Sequence, residues 1–448
     1  MSVPTLLRGS VMHAPRDPFR EGGTLEAWDD GAVLLDGDVV GAVGDYAELS
    51  RRHPHAAVDD RSGAVVLPGL VDAHVHYPQV AAIGAVGMRL LEWLERRALP
   101  EETRYADVAY AAERAAAFLR LLAASGTTTA MVFGAHFAPA MDVFFQAAER
   151  SGLRIFAGLC VSDRDLAGPL HTTPERALRE GLELAQRWHG RGRLAYAVTP
   201  RFALSCGEAL LAACGELVAA VPGLHVTTHI NENLEEIAGV RARYPGAADY
   251  LDAYDRFGLV GPRTVLAHDV HPRDRELARL AESGAAVAHC PSSNLTLGSG
   301  LFPLRRHLDA GVPVALGSDV GAGAGFGVLK EALTAHQVQM LRPDGEPLDA
   351  VRALYLATAA GARALGVGDR VGDLTPGKQA DLVVVRPPPG STLAELLRFA
   401  ADAEAALSAL VALAREESVE EVMVAGERVY RRGEPQRGWL DAGPPAGT

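Results

Sequence analysis

"LPGLVDAHVHYPQ", residues Leu67–Gln79, sets two histidines two positions apart behind a Pro-Gly turn and a short apolar run. Side chains on a strand alternate with period two, so His74 and His76 share one face of any strand this run forms. Two inward imidazoles need partners, because buried polar groups without hydrogen bonds are costly. Whether those partners are a metal or ordinary neighbours depends on what other strands bring to the same place.

Seven further runs of the same texture follow: "TTTAMVF", "LRIFAGLC", "LAYAVTP", "LHVTTHI", "TVLAHDV", "AAVAHCP" and "VPVALGSD". Each is apolar and ends in polar or small residues. Most are separated by Ala/Leu/Glu/Arg stretches of helical period, such as "YADVAYAAERAAAFLRLLAAS" from Tyr105 to Ser125. Eight such βα units spread over roughly 250 residues predict a TIM-type (β/α)8 barrel.

The flanks read differently. Up to Leu67 short apolar pieces are broken by Gly, Asp and Pro, and "GAVLLDGDVVGAVGD" carries the Asp-Gly of a hairpin. After Gly372 the β texture returns in "GDLTPGKQADLVVV" and "VEEVMVAGERVYRRG", with a Pro-rich turn and an Ala/Leu/Glu helix, Leu393 to Glu417, between them. Neither end alone offers enough strands for a stable sheet. The expectation is a small β-sandwich built from residues 1–67 and 372–448, flanking a barrel of residues 68–371, with a helix inserted in the C-terminal part.

The bulk numbers set limits on function. The 448 residues are 48% hydrophobic and 22% charged, enough to bury a large core, and the formal charge of -13 argues against nucleic acid or an anionic membrane surface as partner. The early residues lack the basic stretch and apolar core of a signal peptide. No apolar run reaches the ~18 residues of a membrane span. Cys160, Cys206, Cys214 and Cys290 show no CxxC spacing, as expected of reduced thiols in the cytoplasm.

In a barrel the chemistry sits at the C-terminal ends of the strands. Strand one ends in His74 and His76, strand five in His229, strand six in His268, strand seven in His289 and strand eight in Asp319. His74, His76, His229, His268 and Asp319 together form a constellation that one strand-end histidine would not. Imidazoles plus one carboxylate, without thiolate, suit Zn²⁺ or Fe²⁺ with an open position for water. His289, beside Cys290 and Pro291, is assigned a supporting or structural place. Only Lys330 and Lys378 exist in the chain, both after strand eight, and strand four ends in "VTPRF". No lysine is therefore placed to bridge two metals, so one metal per chain is expected. Glu232, three residues after His229 in "HINEN", stands where a general acid/base would act beside the metal.

"PGLVDAHVH", "THINEN", "LAHDVH", "AHCPSSNLTLGSG", "LGSDVGAG" and the returning "GDLTPGKQADLVVV" resemble the amidohydrolase superfamily and its aminohydrolase branch. Gln79 after the HxH pair, "LLEWLERRALP", "GTTTA", "VTPRFALSC" and "HINEN" narrow the likeness to the guanine deaminase family. The resemblance runs from about Leu67 to Gly372 and continues into both β ends. It implies zinc held by His74, His76, His229, His268 and Asp319. It also implies Glu232, Asp319 and His268 as catalytic groups, and Gln79, Arg201, Phe202 and Glu232 against a purine. Asn231, where the family usually has Ser, bears on loop geometry and leaves Glu232 in place. A homodimer is implied by the likeness alone. The competing readings are a relative acting on 8-oxoguanine, a pterin, a triazine or cytosine, and a barrel kept only as an interaction scaffold.

Overall fold

Pro68 and Gly69 are where the chain passes from one sheet to another in the computed structural model, which describes residues 3–434. Upstream lie β1 (Thr5–His13), β2 (Glu26–Asp36), β3 (Val39–Asp45) and β4 (Ala57–Pro68). β2 and β3 form the hairpin expected at Asp36-Gly37, pairing from Gly31↔Asp45 to Asp36↔Val39, with Gly37 left-handed at φ 65°. Gly69 has no room for a side chain: a Cβ there would lie 2.2 Å from the Thr128 Oγ1 of the next sheet.

The barrel strands follow as β5 (Leu70–His76), β6 (Thr127–Phe133), β7 (Arg154–Gly158), β8 (Cys160–Val161), β9 (Leu194–Pro200), β10 (His225–Ile230), β11 (Thr264–His268), β12 (Ala286–His289) and β13 (Val314–Leu316). All pair in parallel in the order β13-β12-β11-β10-β9-β7-β6-β5, and β8 extends the third position by pairing with β9. The ring closes through the backbone after β13. Asp319 N donates to His74 O and His76 N donates to Val320 O, each at 2.9 Å. Thus all eight apolar runs are barrel strands, and the closure itself joins two of the predicted site segments.

Alternation explains the barrel interior. Val71, Ala73, Met131, Phe156, Ala197, Val265, Ala286, Ala288 and Ala315 form one buried cluster. The helix Ala359–Ala364 and the following Leu365, Val367 and Val371 pack against it. A Cβ on Gly361 would sit 2.7 Å from Val71 Cγ1, so glycine there lets that helix close the barrel floor without displacing Val71. The β5–β6 register shifts between Asp72 and Val75, which lets Val71 and Ala73 face the floor while His74 and His76 face the mouth. Outside, helices bury one stripe each against the strands. Val108–Ala124, capped by Asp107 accepting from Ala109 N and Tyr110 N, buries Ala111, Ala115, Phe118, Leu119 and Leu122 at helical spacing. No described helix is long and apolar enough to cross a membrane.

The chain then returns to the first sheet as β14 (Leu382–Val385), β15 (Val419–Val424) and β16 (Glu427–Arg431). The expected sandwich is one continuous seven-stranded sheet, ordered β16-β15-β14-β4-β1-β2-β3, antiparallel except where β1 pairs with β4. Its buried side gathers Leu7, Val33, Val66, Leu374, Leu382 and Val384. The single helix expected from Leu393 to Glu417 is instead two, Thr392–Phe399 and Ala403–Leu413. Asp402 is the reason. Its extended backbone and a side chain accepting from Ala405 N start a new helix in the middle of the apolar run. The last residues of the C-terminal β part, 435–448, lie outside the described residues.

Candidate active site

Four of the predicted residues converge. His74, His76, His229 and Asp319 are buried, and one ligand atom from each lies within 4.8 Å of the others. His76 Nε2 is 3.1 Å from His74 Nε2, 3.2 Å from His229 Nε2 and 3.1 Å from Asp319 Oδ1. His229 Nδ1–H donates to Arg201 O at 2.5 Å, so its Nε2 presents a lone pair to the cluster. Burial holds the three imidazoles below their usual range, His76 at about 4. Burial alone would raise the Asp319 carboxyl, but hydrogen bonds from His74 and His76 keep it well below the carboxylate range. Neutral imidazoles and an ionised carboxylate are the ligand forms of these groups, so the set fits a single divalent cation.

His268 stands beside this group rather than in it. Its Nε2 is 3.8 Å from Asp319 Oδ2 and 3.5 Å from Glu232 Oε2, while Nδ1–H donates to Asn294 Oδ1 at 2.8 Å. The expected fifth ligand thus lies at the edge of the four, within reach of the Asp319 carboxylate. Backbone geometry accounts for its place. With Val265 facing the interior, alternation would turn His268 away; the left-handed conformation at His268 (φ 76°) brings it back to the mouth, and Asp269 (φ 45°) continues the turn. Asn231 (φ 48°) and Asp319 (φ 45°) are left-handed in the same region. His289 stays out, stacked on Phe302 with centroids 4.2 Å apart.

Above the four residues opens a small cavity lined by His76, Gln79, Arg201, Phe202, His229, Glu232, His268 and Asp319. Its apolar walls are Leu90, Trp93, Leu94, Leu297 and Ala322. Arg201 and Gln79 are held by a residue the sequence did not mark, Glu102. Arg201 Nη1 donates to both Glu102 oxygens at 2.9 and 3.0 Å, Gln79 Nε2 donates to Oε1 at 2.8 Å, and His136 Nε2 lies 3.2 Å from Oε2. Burial pushes the Glu102 carboxyl up, but the Arg201 charge and the His136 hydrogen bond outweigh it and hold the carboxyl at about 2. Gln79 Oε1 accepts from Gly321 N at 3.2 Å, which ties strand one to the loop after strand eight. The sequence signal that could have found Glu102 is the need of a buried arginine for a counter-charge.

Glu232 is fully enclosed, and burial with the Asp319 charge raises its carboxyl to about 8. Its oxygen Oε1 accepts from Ser299 Oγ at 3.1 Å. Its backbone N donates to Glu236 Oε2 at 3.1 Å, within the capping box that starts helix Leu234–Arg243. Asn231 Nδ2 donates to Asp269 Oδ1 at 2.8 Å and to Glu276 Oε2 at 3.2 Å, fastening the ends of β10 and β11 together. Trp93, Leu297 and Ser299 carry no sequence mark of their own, since none lies at a strand end, and His136, whose role the sequence leaves open, lies against Glu102.

Comparison with known proteins gives the family. The amidohydrolase family profile matches residues 65–429, and a bacterial imidazolonepropionase-like composite domain matches residues 31–56. A probable guanine deaminase of Deinococcus radiodurans is 54% identical over 95% of this chain and 99% of its own length. The guanine deaminase of Escherichia coli is 38% identical over 95% and 98%. The solved structure of the E. coli enzyme superposes with a TM-score of 0.91, covering 96% of this chain and 100% of that one. The Bradyrhizobium japonicum guanine deaminase, 33% identical, matches over the same shares with a TM-score of 0.91. The chain belongs to the amidohydrolase family, and within it to the guanine deaminases.

Proposed function

We propose that this chain hydrolyses guanine to xanthine and ammonia, with one zinc ion held by His74, His76, His229 and Asp319. The observation that carries the reading is a single cavity lined by metal-competent residues, the buried acid Glu232 and the fixed donors Arg201 and Gln79. A divalent ion in that set supplies a nucleophile near neutral pH by lowering the pKa of water from 15.7 to about 7. The protein's own groups do the rest. Arg201, locked on Glu102, keeps N–H donors for the purine O6, and Gln79 adds an amide beside it. Phe202 and Trp93 cover the ring faces.

Glu232, with its carboxyl at about 8, is protonated at neutral pH and gives its proton to ring N3 as water adds at C2. Asp319 is ionised and available to take the proton of the attacking water. His268 Nε2, between the Glu232 and Asp319 carboxyls, can relay to Glu232 the proton that Asp319 took from the water, and Glu232 passes it to the departing amine as the C2 hydroxyl gives its own proton to Asp319. The C2–N bond then breaks, releasing ammonia and leaving xanthine. Adenine would set an amine against the donors of Arg201, and a site built on such pairing rejects the wrong analogue by ~10⁴-fold.

Cytoplasmic location rests on four cysteines that are all unpaired. The homodimer rests on family likeness and is checked by light scattering. The reading as a whole is tested by metal analysis of the purified protein alongside ammonia release from guanine. One zinc per chain is expected, with turnover lost on chelation and restored by Zn²⁺. Full turnover in metal-free protein contradicts it.

A further inference from the structure

Ser299 lies on the segment after β12, the strand whose own histidine stays outside the site. Helix Pro291–Thr296 ends there, and the chain turns through Leu297 and Gly298. Ser299 is buried and held on both sides through its backbone. Its N–H donates to Asn294 O at 2.8 Å, and its carbonyl accepts from His271 Nε2 at 2.7 Å. Gly300 follows at φ 136°, where a Cβ would lie 3.0 Å from Val270 Cγ1. The Ser299 backbone is therefore fixed, and from it the hydroxyl donates to Glu232 Oε1 at 3.1 Å. The same turn fixes His268, whose Nδ1–H donates to Asn294 Oδ1 at 2.8 Å, so that His268 Nε2 offers a lone pair to Glu232 Oε2 at 3.5 Å. One segment thus holds both groups that handle protons above the metal-competent residues.

We propose that Ser299 is a positioning residue for Glu232: by donating to Oε1 it keeps that oxygen an acceptor and places the carboxylic proton on Oε2, beside His268. When Glu232 gives its proton to the purine, the same hydrogen bond becomes one to a carboxylate and strengthens. It therefore favours the state after transfer more than the bound substrate, and its loss lowers kcat rather than raising KM. This rests on the guanine-hydrolysis reading with Glu232 as proton donor.

The test is kcat and KM for guanine in Ser299→Ala, Ser299→Cys and Ser299→Thr, each in the natural and the Glu232→Gln background, with metal content and Tm alongside. Ser299→Ala is expected to lower kcat on the order of 10-fold with KM little changed, since hydrogen bonds to charged groups carry that much. Ser299→Cys, close in shape but a weak donor, should show the same loss, which keeps the test valid if alanine loosens the turn. Ser299→Thr keeps the hydroxyl and should recover most of the rate. In Glu232→Gln the alanine change should cost little more, because the two residues act as one unit. Wild-type kcat in both Ser299→Ala and Ser299→Cys, or an equal loss in both backgrounds, overturns the proposal. If Glu232→Gln itself turns over guanine normally, the underlying role of Glu232 fails as well. If Glu232→Gln is impaired while the Ser299 variants are not, only the Ser299 assignment falls.

Discussion

On the proposed reading Arg201 holds the substrate, and its side chain and backbone have separate duties. The guanidinium binds Glu102, while the carbonyl oxygen orients His229. Arg201→Ala should therefore depress guanine kcat/KM by roughly 10²-fold or more while zinc content stays normal; loss of zinc in that variant would refute the separation. Glu102→Gln leaves a buried guanidinium without its counter-charge, so stability should fall by about 3–5 kcal/mol in denaturant unfolding. Glu232→Gln should keep zinc and lose on the order of 10²-fold or more in kcat. The acid form of Glu232 dominates below its raised pKa of about 8, so kcat/KM for guanine should fall as pH rises through that value. A flat profile there would separate Glu232 from the proton donor. His74, His76, Arg201 and Gln79 were legible because spacing and motif mark them. Glu102 was not, because "LPEET" has the look of a solvated, acidic helical turn, and only the buried Arg201 reveals its use.

Eight runs with polar endings were enough to foretell eight strands, since burial on both faces leaves a continuous apolar signature. Where the chain departs from regular alternation the sequence is mute. The left-handed backbone at Asn231, His268 and Asp319 aims three site residues, and no local pattern announces it. The same holds for His268, whose side chain lies at the edge of the four-residue group, 3.8 Å from Asp319 Oδ2. The barrel floor offers a check on packing. Gly361→Ala would press a Cβ to within 2.7 Å of Val71 Cγ1, and overpacking of that kind costs about 1–3 kcal/mol. A lower Tm with kcat and KM for guanine unchanged is the expected outcome, since the floor is remote from the mouth. An unchanged Tm would show that the helix Ala359–Ala364 can move away from Val71 freely.

Across the whole molecule, the terminal sheet and the barrel meet at Gly69, whose N–H donates to Asp381 O of the C-terminal part at 2.9 Å. Both chain ends thereby bear on the start of the strand that carries His74 and His76. The mouth above that strand gathers imidazoles, carboxylates and one arginine around one cavity. Chelation should lower Tm and Zn²⁺ should restore it, because an ion bound only by the folded state stabilises that state. Choice of substrate is read in one incubation: purified protein with guanine, adenine, cytosine or 8-oxoguanine, followed by ammonia release. Rapid release from guanine with little from the other three is the predicted result. No release from guanine, with release from any of the others, would contradict the account.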